Sequence, residues 1–241
     1  MQQRRVGLTL AAAILFASQA PAADKAPGYH LVKEIPIPGD TGWDYLSIDA
    51  EARRLYVTHG THIVVVDIDS NSVVGDIADT PGVHGFAVAH ELGKGFSSNG
   101  AESKVSVVDL KTLAALEKVE TAEGPDAILY EPGREEVYAY DGKAHAATII
   151  SASSGKVIAT LPLPGKPEFS AADSRAGRVF VNIEDKSEVV AIDTRTHQIA
   201  NTWSIAPGES ASGMAIDTVH HRLFLGCENH LMLMMGSKSV V

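Results

Sequence analysis

A short apolar pattern returns along the chain at a constant spacing of 42 residues. Its last position is occupied in turn by Asp67, Asp109, Ser151, Asp193 and Met235. A constant period of this length indicates a repeat architecture, in which each unit packs against its neighbours. The period therefore constrains the fold of this 241-residue chain more tightly than any single motif does.

Each unit contains four short apolar runs separated by polar turns. In the first unit the runs are YLSID at 45–49, RLYV at 54–57, VVVD at 64–67 and SVVGDI at 72–77. Runs of this length, rich in Val, Ile, Tyr and Phe and bounded by turn residues, predict β-strands. Four strands in about 40 residues are typical of a β-propeller blade. We therefore predict an all-β propeller of four-stranded antiparallel blades, without sustained helices.

The aspartates that end the third run have a structural explanation. Aspartate side chains accept hydrogen bonds from backbone N–H groups in the turn that follows them. Ser70 and Thr112 follow Asp67 and Asp109 at the same spacing, as a hairpin turn requires. We interpret these aspartates, and Asp193 with them, as turn residues rather than catalytic residues.

The repeats resemble a known family. VVVDIDSNSVV, VSVVDLKTLAAL and VVAIDTRTHQIANTW, together with RLYVTHG at 54–60, are similar to the YVTN-type, or YncE-like, bacterial β-propeller repeats. GVHGFAVAHELGKGFSSNG at 82–100 and GPDAILYEP at 124–132 resemble a secreted branch of that family. The resemblance covers nearly all of the chain after its N-terminal segment. It implies a propeller fold and implies little about a reaction, because most similar members have no assigned catalytic activity.

The N-terminal segment predicts export. Arg4 and Arg5 precede an apolar stretch at 6–17, which is too short to span a bilayer and suits a signal peptide. Ala20-Pro21-Ala22 offers a cleavage site. We therefore expect a periplasmic or secreted bacterial protein without a membrane span after cleavage. The predicted division is a signal peptide at 1–22, a linker at 23–29 and a propeller at 30–241.

The number of units has two interpretations. The propeller region divides into an outer strand at 30–39 and units at 40–80, 81–122, 123–164, 165–206 and, incomplete, 207–241. Because the resemblance implies longer, seven-bladed relatives, we favour a seven-bladed ring truncated at its C-terminus. The alternative is a closed five-bladed ring. In that case HLVKEIPIPG at 30–39, which aligns with the outer strand KVIATLPLPG at 156–165, would complete the last blade. However, SVV at 239–241 resembles the start of that blade's own fourth strand, so a strand from 30–39 would not be needed there.

Charge and cysteine content restrict the partners. The formal net charge is −10, with 20 basic and 30 acidic side chains, and it becomes more negative once Arg4 and Arg5 are removed. An acidic surface repels phosphate backbones, which disfavours nucleic acid as a partner. Cys227 is the single cysteine and therefore cannot form an internal disulfide; we expect it to be a small apolar core residue.

One column of the repeat carries candidate chemistry. Alignment of the units places one residue of each at the entrance of the central channel. These residues are Asp44, His84, Asp126, Glu168 and Ser212. Carboxylates and imidazole are ligands for Ca²⁺, Mn²⁺ or Zn²⁺, and the neighbouring Trp43, Phe86 and Phe169 would line a small-ligand pocket. The structural alternative is that these groups satisfy loop N–H groups or hold waters.

Other candidates are weaker. His59 and His62 are three residues apart on a strand or hairpin, so we do not expect them to face one metal ion. The LMLMM run at 231–235 is expected to fill the core. His220 and His221 are expected in an exposed turn. The sequence lacks GxSxG, P-loop, GxGxxG and CxxCH motifs.

Three functions of different classes remain open. We favour an exported, non-catalytic binding or scaffold propeller, whose loop faces and channel bind an unknown protein or small molecule. The second is a metal-dependent hydrolase of the lactonase kind, with acidic channel residues. The third is an accessory protein of a periplasmic redox system. No catalytic residue or cofactor-binding motif is predicted, and a divalent cation (Ca, Mn or Zn) in the channel is the one cofactor considered.

Overall fold

The computed structural model describes residues 28–37, 39 and 42–237. Contacts divide the chain into Met1–Glu34 and Ile35–Val241. In the first part, residues 28–34 are exposed and have no regular structure. In the second part, the regular elements of the described residues are β-strands, apart from two single 3₁₀ turns at His90–Leu92 and Glu184–Lys186. Among the described residues, no helix has the length and apolarity needed to cross a membrane.

The strands form five antiparallel sheets in chain order, each of them a propeller blade. Blade 1 contains β1 (Trp43–Asp49), β2 (Arg54–His59), β3 (His62–Asp67) and β4 (Ser72–Ile77). Blade 2 contains β5 (Val83–Ala89), β6 (Lys94–Asn99), β7 (Lys104–Asp109) and β8 (Ala115–Glu120). Blade 3 contains β9 (Pro125–Glu131), β10 (Glu136–Asp141), β11 (Ala146–Ser151) and β12 (Val157–Pro162). Blade 4 contains β13 (Pro167–Asp173), β14 (Arg178–Ile183), β15 (Glu188–Asp193) and β16 (Gln198–Ser204). Blade 5 contains β17 (Ala211–Asp217), β18 (Arg222–Cys227) and β19 (Met232–Gly236).

The all-β propeller prediction is confirmed. The first strands of the blades (β1, β5, β9, β13 and β17) pack side by side in chain order and line the channel. The described residues form five blades, four of them with four strands and one with three, which fits the five-bladed alternative. Each 42-residue unit corresponds to one blade, because its strands pair with the strands next to them in the chain.

The aromatic side chain of the second strand forms the centre of each blade interface. Tyr56, Phe96, Tyr138 and Phe180 are fully buried between neighbouring sheets. Burial of such a side chain contributes about 1.5–3 kcal/mol to stability. The third strands β3, β7, β11 and β15 are also buried along their whole central length. The aromatic column of the repeat is therefore core architecture and not a ligand site.

The repeated aspartates close the turn between the third and fourth strands, as predicted. Asp67 Oδ1 accepts hydrogen bonds from the backbone N–H groups of Asp69 and Ser70, at 3.2 and 2.7 Å. Asp109 and Asp193 bind the turns that follow them in the same way. The hydrogen bonds to the Ser70 backbone and hydroxyl lower the pKa of Asp67, since they stabilise its ionised form. The turn interpretation is confirmed.

The prediction of an outer strand at 30–39 is wrong for the residues that the structure describes. Residues 30–37 form no strand pairing. Ile35 and Ile37 instead pack against Val57, Val64 and Val66 of blade 1. The alternating apolar positions Ile35 and Ile37 are thus partly buried by contact with the face of a sheet, without hydrogen bonding at its edge. The predicted signal peptide, most of the linker and the SVV segment at 239–241 lie outside the described residues.

The strand β19 differs from the third strands of the other blades. Met232 and Met234 are 75% and 58% exposed, whereas Leu233 and Met235 pack partly against the blade core. The prediction that the LMLMM run fills the core is therefore wrong for Met232 and Met234. The physical reason is that no other sheet among the described residues covers this face of β19. Cys227 is a free, partly buried residue at the end of β18.

Candidate ligand and metal site at the channel entrance

The five predicted entrance residues occupy equivalent places in the fold. Each is the second residue of the innermost strand of its blade. These residues are Asp44 on β1, His84 on β5, Asp126 on β9, Glu168 on β13 and Ser212 on β17. Because the innermost strands run side by side around the channel, the same position in each strand reaches the same end of the channel. The predicted column is therefore one ring of positions in the structure.

Hydrogen bonds between blades hold the innermost strands at this level. The Thr58 hydroxyl donates to the His84 carbonyl oxygen at 2.9 Å. The Ser98 hydroxyl donates to the Asp126 carbonyl oxygen and accepts from the backbone N–H of Gly85 at 2.9 Å. Thr58 and Ser98 each lie on the second strand of a blade and reach the first strand of the next blade. These bonds fix the backbone next to the ring residues.

Three of the five side chains form one cluster. His84 Nδ1 lies 2.6 Å from Asp44 Oδ2 and 3.6 Å from Asp126 Oδ1. One ligand atom from each residue lies within 4.8 Å of the other two. All three side chains are partly exposed, so a ligand in solution has access to them. The structure thus brings Asp44, His84 and Asp126 together as a candidate cation site.

Gly100 makes room for the imidazole of this cluster. A Cβ atom at position 100 would lie 2.9 Å from His84 Nε2 and 3.1 Å from the Pro125 carbonyl oxygen. These distances are shorter than ordinary van der Waals contacts, and the Pro125 backbone cannot move aside as a flexible side chain does. A glycine at this position therefore lets His84 turn its Nδ1 atom towards the two aspartates.

The charge balance of the cluster favours a cation. Burial raises the pKa of Asp126 above its usual value, and the nearby carboxylates of Glu168 and Asp44 raise it further. The positive charges of His84 and Lys166 oppose this rise in pKa. A bound cation would stabilise the ionised form of Asp126 and reduce the repulsion between the carboxylates.

Glu168 lies in a separate network on the other side of the ring. Its buried carboxylate lies 2.7 Å from Lys166 Nζ and accepts a hydrogen bond from the Tyr45 hydroxyl at 3.2 Å. Lys166 also pairs with Glu184 at 2.7 Å, and both hydrogen-bonded carboxylates raise the pKa of the lysine. Burial and the negative charge of Glu168 raise the pKa of Tyr45, which keeps its hydroxyl protonated. The carboxylate of Glu168 is therefore already bound on both oxygens.

The sequence reasoning missed Lys166 and Tyr45. Lys166 stands two positions before Glu168, a spacing that would have suggested a pair on one face of a strand. No local pattern could have indicated Tyr45, because it reaches Glu168 across the channel from a position 123 residues earlier in the chain.

Two cavities adjoin the ring. One of about 460 Å³ lies between β1 and β17, and Asp44, Tyr45, Phe169 and Ser212 are among its lining residues. A smaller cavity of about 240 Å³ lies between the first strands of blades 1, 2 and 3, with Phe169 of blade 4 on its wall. Tyr45 and Phe169 line both cavities, with their ring centroids 5.3 Å apart. Ser212 thus lies on a cavity wall near Asp44 rather than in the cluster itself.

The three aromatic residues predicted to line a pocket have different positions. Phe169 lines both cavities, as expected. Phe86 borders the smaller cavity, but it is buried and packs on Tyr56 with ring centroids 4.6 Å apart. Trp43 lines neither cavity and stacks on His59, with ring centroids 3.8 Å apart and ring planes at 3°. The prediction for Trp43 is therefore wrong, because its indole covers a histidine instead.

One of the predictions for the remaining histidines is wrong. His59 and His62 face each other across a hairpin, and their ring nitrogens Nδ1 and Nε2 are 3.2 Å apart. The expectation that they do not face one point is wrong. His220 is exposed in its turn, as expected, and pairs with Asp217 at 2.7 Å. His221 is more covered than expected and lies 3.8 Å from the buried Asp173.

Comparisons with curated proteins identify distant relatives. No protein-family model matches the chain. The uncharacterized YncE proteins of Salmonella typhi and of Salmonella typhimurium are each 26% identical to it over 151 residues. The alignment covers 59% of this chain and 42% of each relative, so the chain matches less than half the length of these proteins.

Solved structures with the same fold belong to proteins of very different sequence. Hydrazine synthase of Kuenenia stuttgartiensis has a TM-score of 0.71 at 14% identity, with 82% of this chain and 58% of that chain covered. The β-propeller domain of Myceliophteria thermophila Cps50 (Swd1) has a TM-score of 0.68 at 11% identity, with coverages of 82% and 65%. At these identities the likeness shows the fold alone. The chain is thus a β-propeller protein that is similar to YncE over part of its length.

Proposed function

We propose that this protein is an exported, non-catalytic binding propeller, which holds its ligand at the channel entrance through a divalent cation bound by Asp44, His84 and Asp126. The observation that carries this proposal is the cluster of three ligand atoms within 4.8 Å of one another. Two oxygen ligands on opposite sides of one Ca²⁺ ion are about 5 Å apart. The cluster therefore already has the dimensions of one coordination sphere.

The donor set favours certain ions. Two carboxylates and one imidazole form a mixed oxygen and nitrogen site, which suits Mn²⁺ and Zn²⁺, whereas Ca²⁺ prefers oxygen alone. In the metal-free protein, His84 Nδ1 and Asp44 are within hydrogen-bond distance, at 2.6 Å. Protons therefore compete with the cation for these groups, and affinity is expected to fall as the pH is lowered.

The surroundings of the cluster support a ligand-binding role. Three protein ligands leave coordination positions open for a molecule from solution. The cavity of about 460 Å³ that Asp44 lines is within the usual size range for small-molecule sites. Its wall combines the Ser212 hydroxyl with the aromatic rings of Tyr45 and Phe169. A small molecule with one metal-binding polar end and an apolar body fits this arrangement.

The state of Glu168 supports binding rather than catalysis. A hydrolase of the lactonase kind needs a base beside the metal-activated water. Glu168 is the remaining carboxylate of the ring, and Lys166 and the Tyr45 hydroxyl already bind both of its oxygens. The ring thus has a cation site with no free carboxylate beside it to act as a base.

Isothermal titration calorimetry with Mn²⁺ and Ca²⁺ tests the cation site. We expect one Mn²⁺ per chain in the full-length protein, and at least a tenfold loss of affinity in Asp126→Asn and in His84→Gln. Asp69→Asn is the matched control, since it removes an exposed carboxylate that is paired with Arg53 in a turn of blade 1. Folded protein that binds no cation, or that binds it equally well in Asp126→Asn, would show the proposal to be wrong.

The second candidate is the hydrolase, because the same cluster would also activate a water molecule. Incubation of the Mn²⁺-loaded protein with a panel of lactones and esters separates the two functions. Hydrolysis that disappears in Asp126→Asn would establish catalysis at the cluster and contradict the non-catalytic proposal. Binding of a lactone without turnover would support a binding function.

Export is supported by the arginine pair and the apolar stretch at 6–17. The full-length gene product, expressed in a Gram-negative host, is expected in the periplasmic fraction or in the medium. Sequencing of its N-terminus should show that the chain starts after Ala22. An uncleaved chain in the cytoplasm would contradict this part of the proposal.

A further inference from the structure

Two histidine rings and a carboxylate meet at the β2–β3 hairpin, outside the channel cluster. His59 Nδ1 lies 3.2 Å from His62 Nε2, which in turn lies 3.6 Å from Asp76 Oδ2. We propose that His59, His62 and Asp76 form a second metal site, which binds a transition-metal ion of the zinc and copper type. This site shares no residue with the channel cluster and does not depend on the proposed function.

The hairpin places the two histidines side by side. His59 ends β2 and His62 begins β3, and the two residues are direct partners in the antiparallel ladder. The turn between them is only Gly60-Thr61, in which Gly60 has a φ of +60°. Directly opposed residues of an antiparallel pair have Cβ atoms about 4.5–5.5 Å apart, on one face of the sheet. The two imidazoles therefore extend from the same face at adjacent positions.

The third ligand comes from the neighbouring strand. Asp76 lies on β4 and pairs with Val64, which is two positions from His62 on β3. Diagonal neighbours of this kind are within reach of one another across a sheet. The Asp76 side chain is about half exposed, so it is free to adjust its position.

The distance between the two histidine nitrogens matches one coordination sphere. Zinc binds imidazole nitrogen at about 2.0–2.1 Å, so two nitrogens on one tetrahedral ion are about 3.3–3.4 Å apart. The observed nitrogen–nitrogen distance is 3.2 Å. A carboxylate oxygen on the same ion would lie about 3.3–3.5 Å from each nitrogen. Asp76 Oδ2 lies 3.6 Å from His62 Nε2 but more than 4.8 Å from His59 Nδ1. The two histidines therefore need to move by only a few tenths of an ångström, whereas the half-exposed Asp76 side chain has to turn towards His59 to complete the site.

The surroundings hold one histidine rigidly and leave the other accessible. The His59 ring is 4% exposed and stacked on Trp43. Gly39, with a φ of +121°, lies against the same ring, which a Cβ atom at position 39 would overlap. Near His62 and Asp76, an open cavity of about 450 Å³ provides a path for the ion. A ligand that is already ordered lowers the entropic cost of binding.

The chemistry of the two sites is different. Imidazole nitrogens favour Cu²⁺, Ni²⁺ and Zn²⁺, whereas the channel cluster has two carboxylates for one imidazole. Copper is expected to bind most tightly at the hairpin, following the general order of affinities for divalent ions. Mn²⁺ titrations therefore report on the channel cluster, and Cu²⁺ titrations of the Asp126→Asn variant report on the hairpin.

Trp43 provides a direct readout. The chain has two tryptophans, Trp43 and Trp203, and only Trp43 is stacked on a proposed metal ligand. Titration of the full chain with Cu²⁺ is expected to quench part of the tryptophan fluorescence in a saturable manner, at one ion per chain. Trp43→Phe should abolish the saturable quenching and keep Zn²⁺ binding measurable by calorimetry.

Matched variants separate this site from the channel and from other histidines. His62→Gln is expected to weaken Cu²⁺ and Zn²⁺ binding at least tenfold, and Asp76→Asn to weaken it several-fold. His220→Gln removes an exposed histidine and should bind as the wild type does, as should the channel variant Asp126→Asn. If His62→Gln does not fold, Asp76→Asn gives the answer from a different strand.

Two outcomes would overturn the proposal. The first is Cu²⁺ affinity that is unchanged in folded His62→Gln and in Asp76→Asn. The second is saturable quenching that persists in Trp43→Phe, which would place the ion near Trp203. Loss of Mn²⁺ binding in Asp126→Asn with Cu²⁺ binding retained would support both sites, whereas loss of Cu²⁺ binding in Asp126→Asn would assign copper to the channel.

Discussion

Asp126 is a ring residue whose ionised form is disfavoured in the folded protein. Its pKa is raised by burial and by the neighbouring carboxylates of Glu168 and Asp44. Because the pKa is higher in the folded than in the unfolded state, the folded protein binds more protons between the two values. The contribution of Asp126 to the free energy of unfolding is therefore lost as the pH rises through that interval.

The raised pKa of Asp126 predicts how its substitution changes the melting temperature. At pH 7 and in EDTA, Asp126→Asn is expected to melt at a higher temperature than the wild type, because it removes an unfavourable buried charge. Mn²⁺ at 100 times the wild-type Kd should stabilise the wild type by about 2.7 kcal/mol and should stabilise the weaker-binding variant less. The difference in melting temperature between the two proteins should therefore shrink or reverse when Mn²⁺ is added. Thermal unfolding followed by circular dichroism measures both. A lower melting temperature of the variant in EDTA would contradict the electrostatic account.

Asp141 gives a second prediction at this scale. The side chain is fully buried at the end of β10, and its Oδ2 accepts a hydrogen bond from the Thr148 hydroxyl at 2.7 Å. Burial raises the pKa of Asp141 to about 6. Stability is therefore lost as the pH rises from about 4 to about 6, by up to about 3 kcal/mol, since one pKa unit is about 1.4 kcal/mol.

Comparison with Asp141→Asn isolates this effect. The free energy of unfolding of the wild type, relative to that of the variant, should fall between pH 4 and pH 6 and then stay constant up to pH 8. Urea denaturation at several pH values measures it. A difference between the two proteins that is independent of pH would show that Asp141 titrates at the usual pH.

At the scale of strands, the ring residues depend on the hydrogen bonds between blades. Ser98 lies on β6, accepts from Gly85 on β5 and donates to the carbonyl oxygen of Asp126 on β9. Ser98→Ala leaves a buried donor and a buried acceptor without this partner. We expect a loss of about 1–3 kcal/mol in the free energy of unfolding. We also expect a several-fold loss of Mn²⁺ affinity, although Ser98 is not a proposed ligand.

Denaturation and calorimetry on the same samples check both effects. Ser153→Ala is the control, because it removes an exposed hydroxyl whose neighbour is another serine in a turn. Unchanged stability in Ser98→Ala would show that the bond between the blades contributes little. Reduced stability with unchanged Mn²⁺ affinity would show that the bond does not position Asp126.

The accuracy of the sequence predictions differs between elements for a physical reason. The strands and turns of each blade were predictable, because the strands pair with their sequence neighbours and the Asp67-type turns form within four residues. The segment at 30–37 was not predictable, because Ile35 and Ile37 are partly buried against a sheet face by contacts that no local pattern encodes. Likewise, the repeat alignment predicted that Asp44, His84 and Asp126 occupy equivalent positions. It could not predict the hydrogen bond between Tyr45 and Glu168 across the channel.

At the scale of the whole molecule, the two end blades have exposed apolar surface. Leu46 and Ile48 on β1 are each 61% exposed, and Met232 and Met234 on β19 are exposed as well. Exposed apolar faces and unpaired strand edges favour association. The negative net charge of the chain opposes association. The balance between these effects depends on concentration and on ionic strength.

We expect the purified chain to associate reversibly at high concentration, and more strongly at high salt, which screens the charge repulsion. The double variant Met232→Lys, Met234→Lys should remain monomeric at concentrations at which the wild type associates, as measured by sedimentation velocity. Val74→Lys with Val157→Lys is the control, since these residues are exposed on the outer strands β4 and β12. Equal suppression by both double variants would show that charge, and not the β19 face, controls association.

The repeat spacing is enough to specify the blade, its strands, its buried aromatic residues and its turn aspartates, because all of these depend on short stretches of chain and their immediate neighbours. The spacing also aligns the entrance residues. It does not specify that Asp44, His84 and Asp126 meet, that Lys166 and Tyr45 bind Glu168, or that His59 and His62 face each other beside Asp76. Those contacts depend on the turn geometry and on the packing of blades around the channel, which bring together residues far apart in the chain.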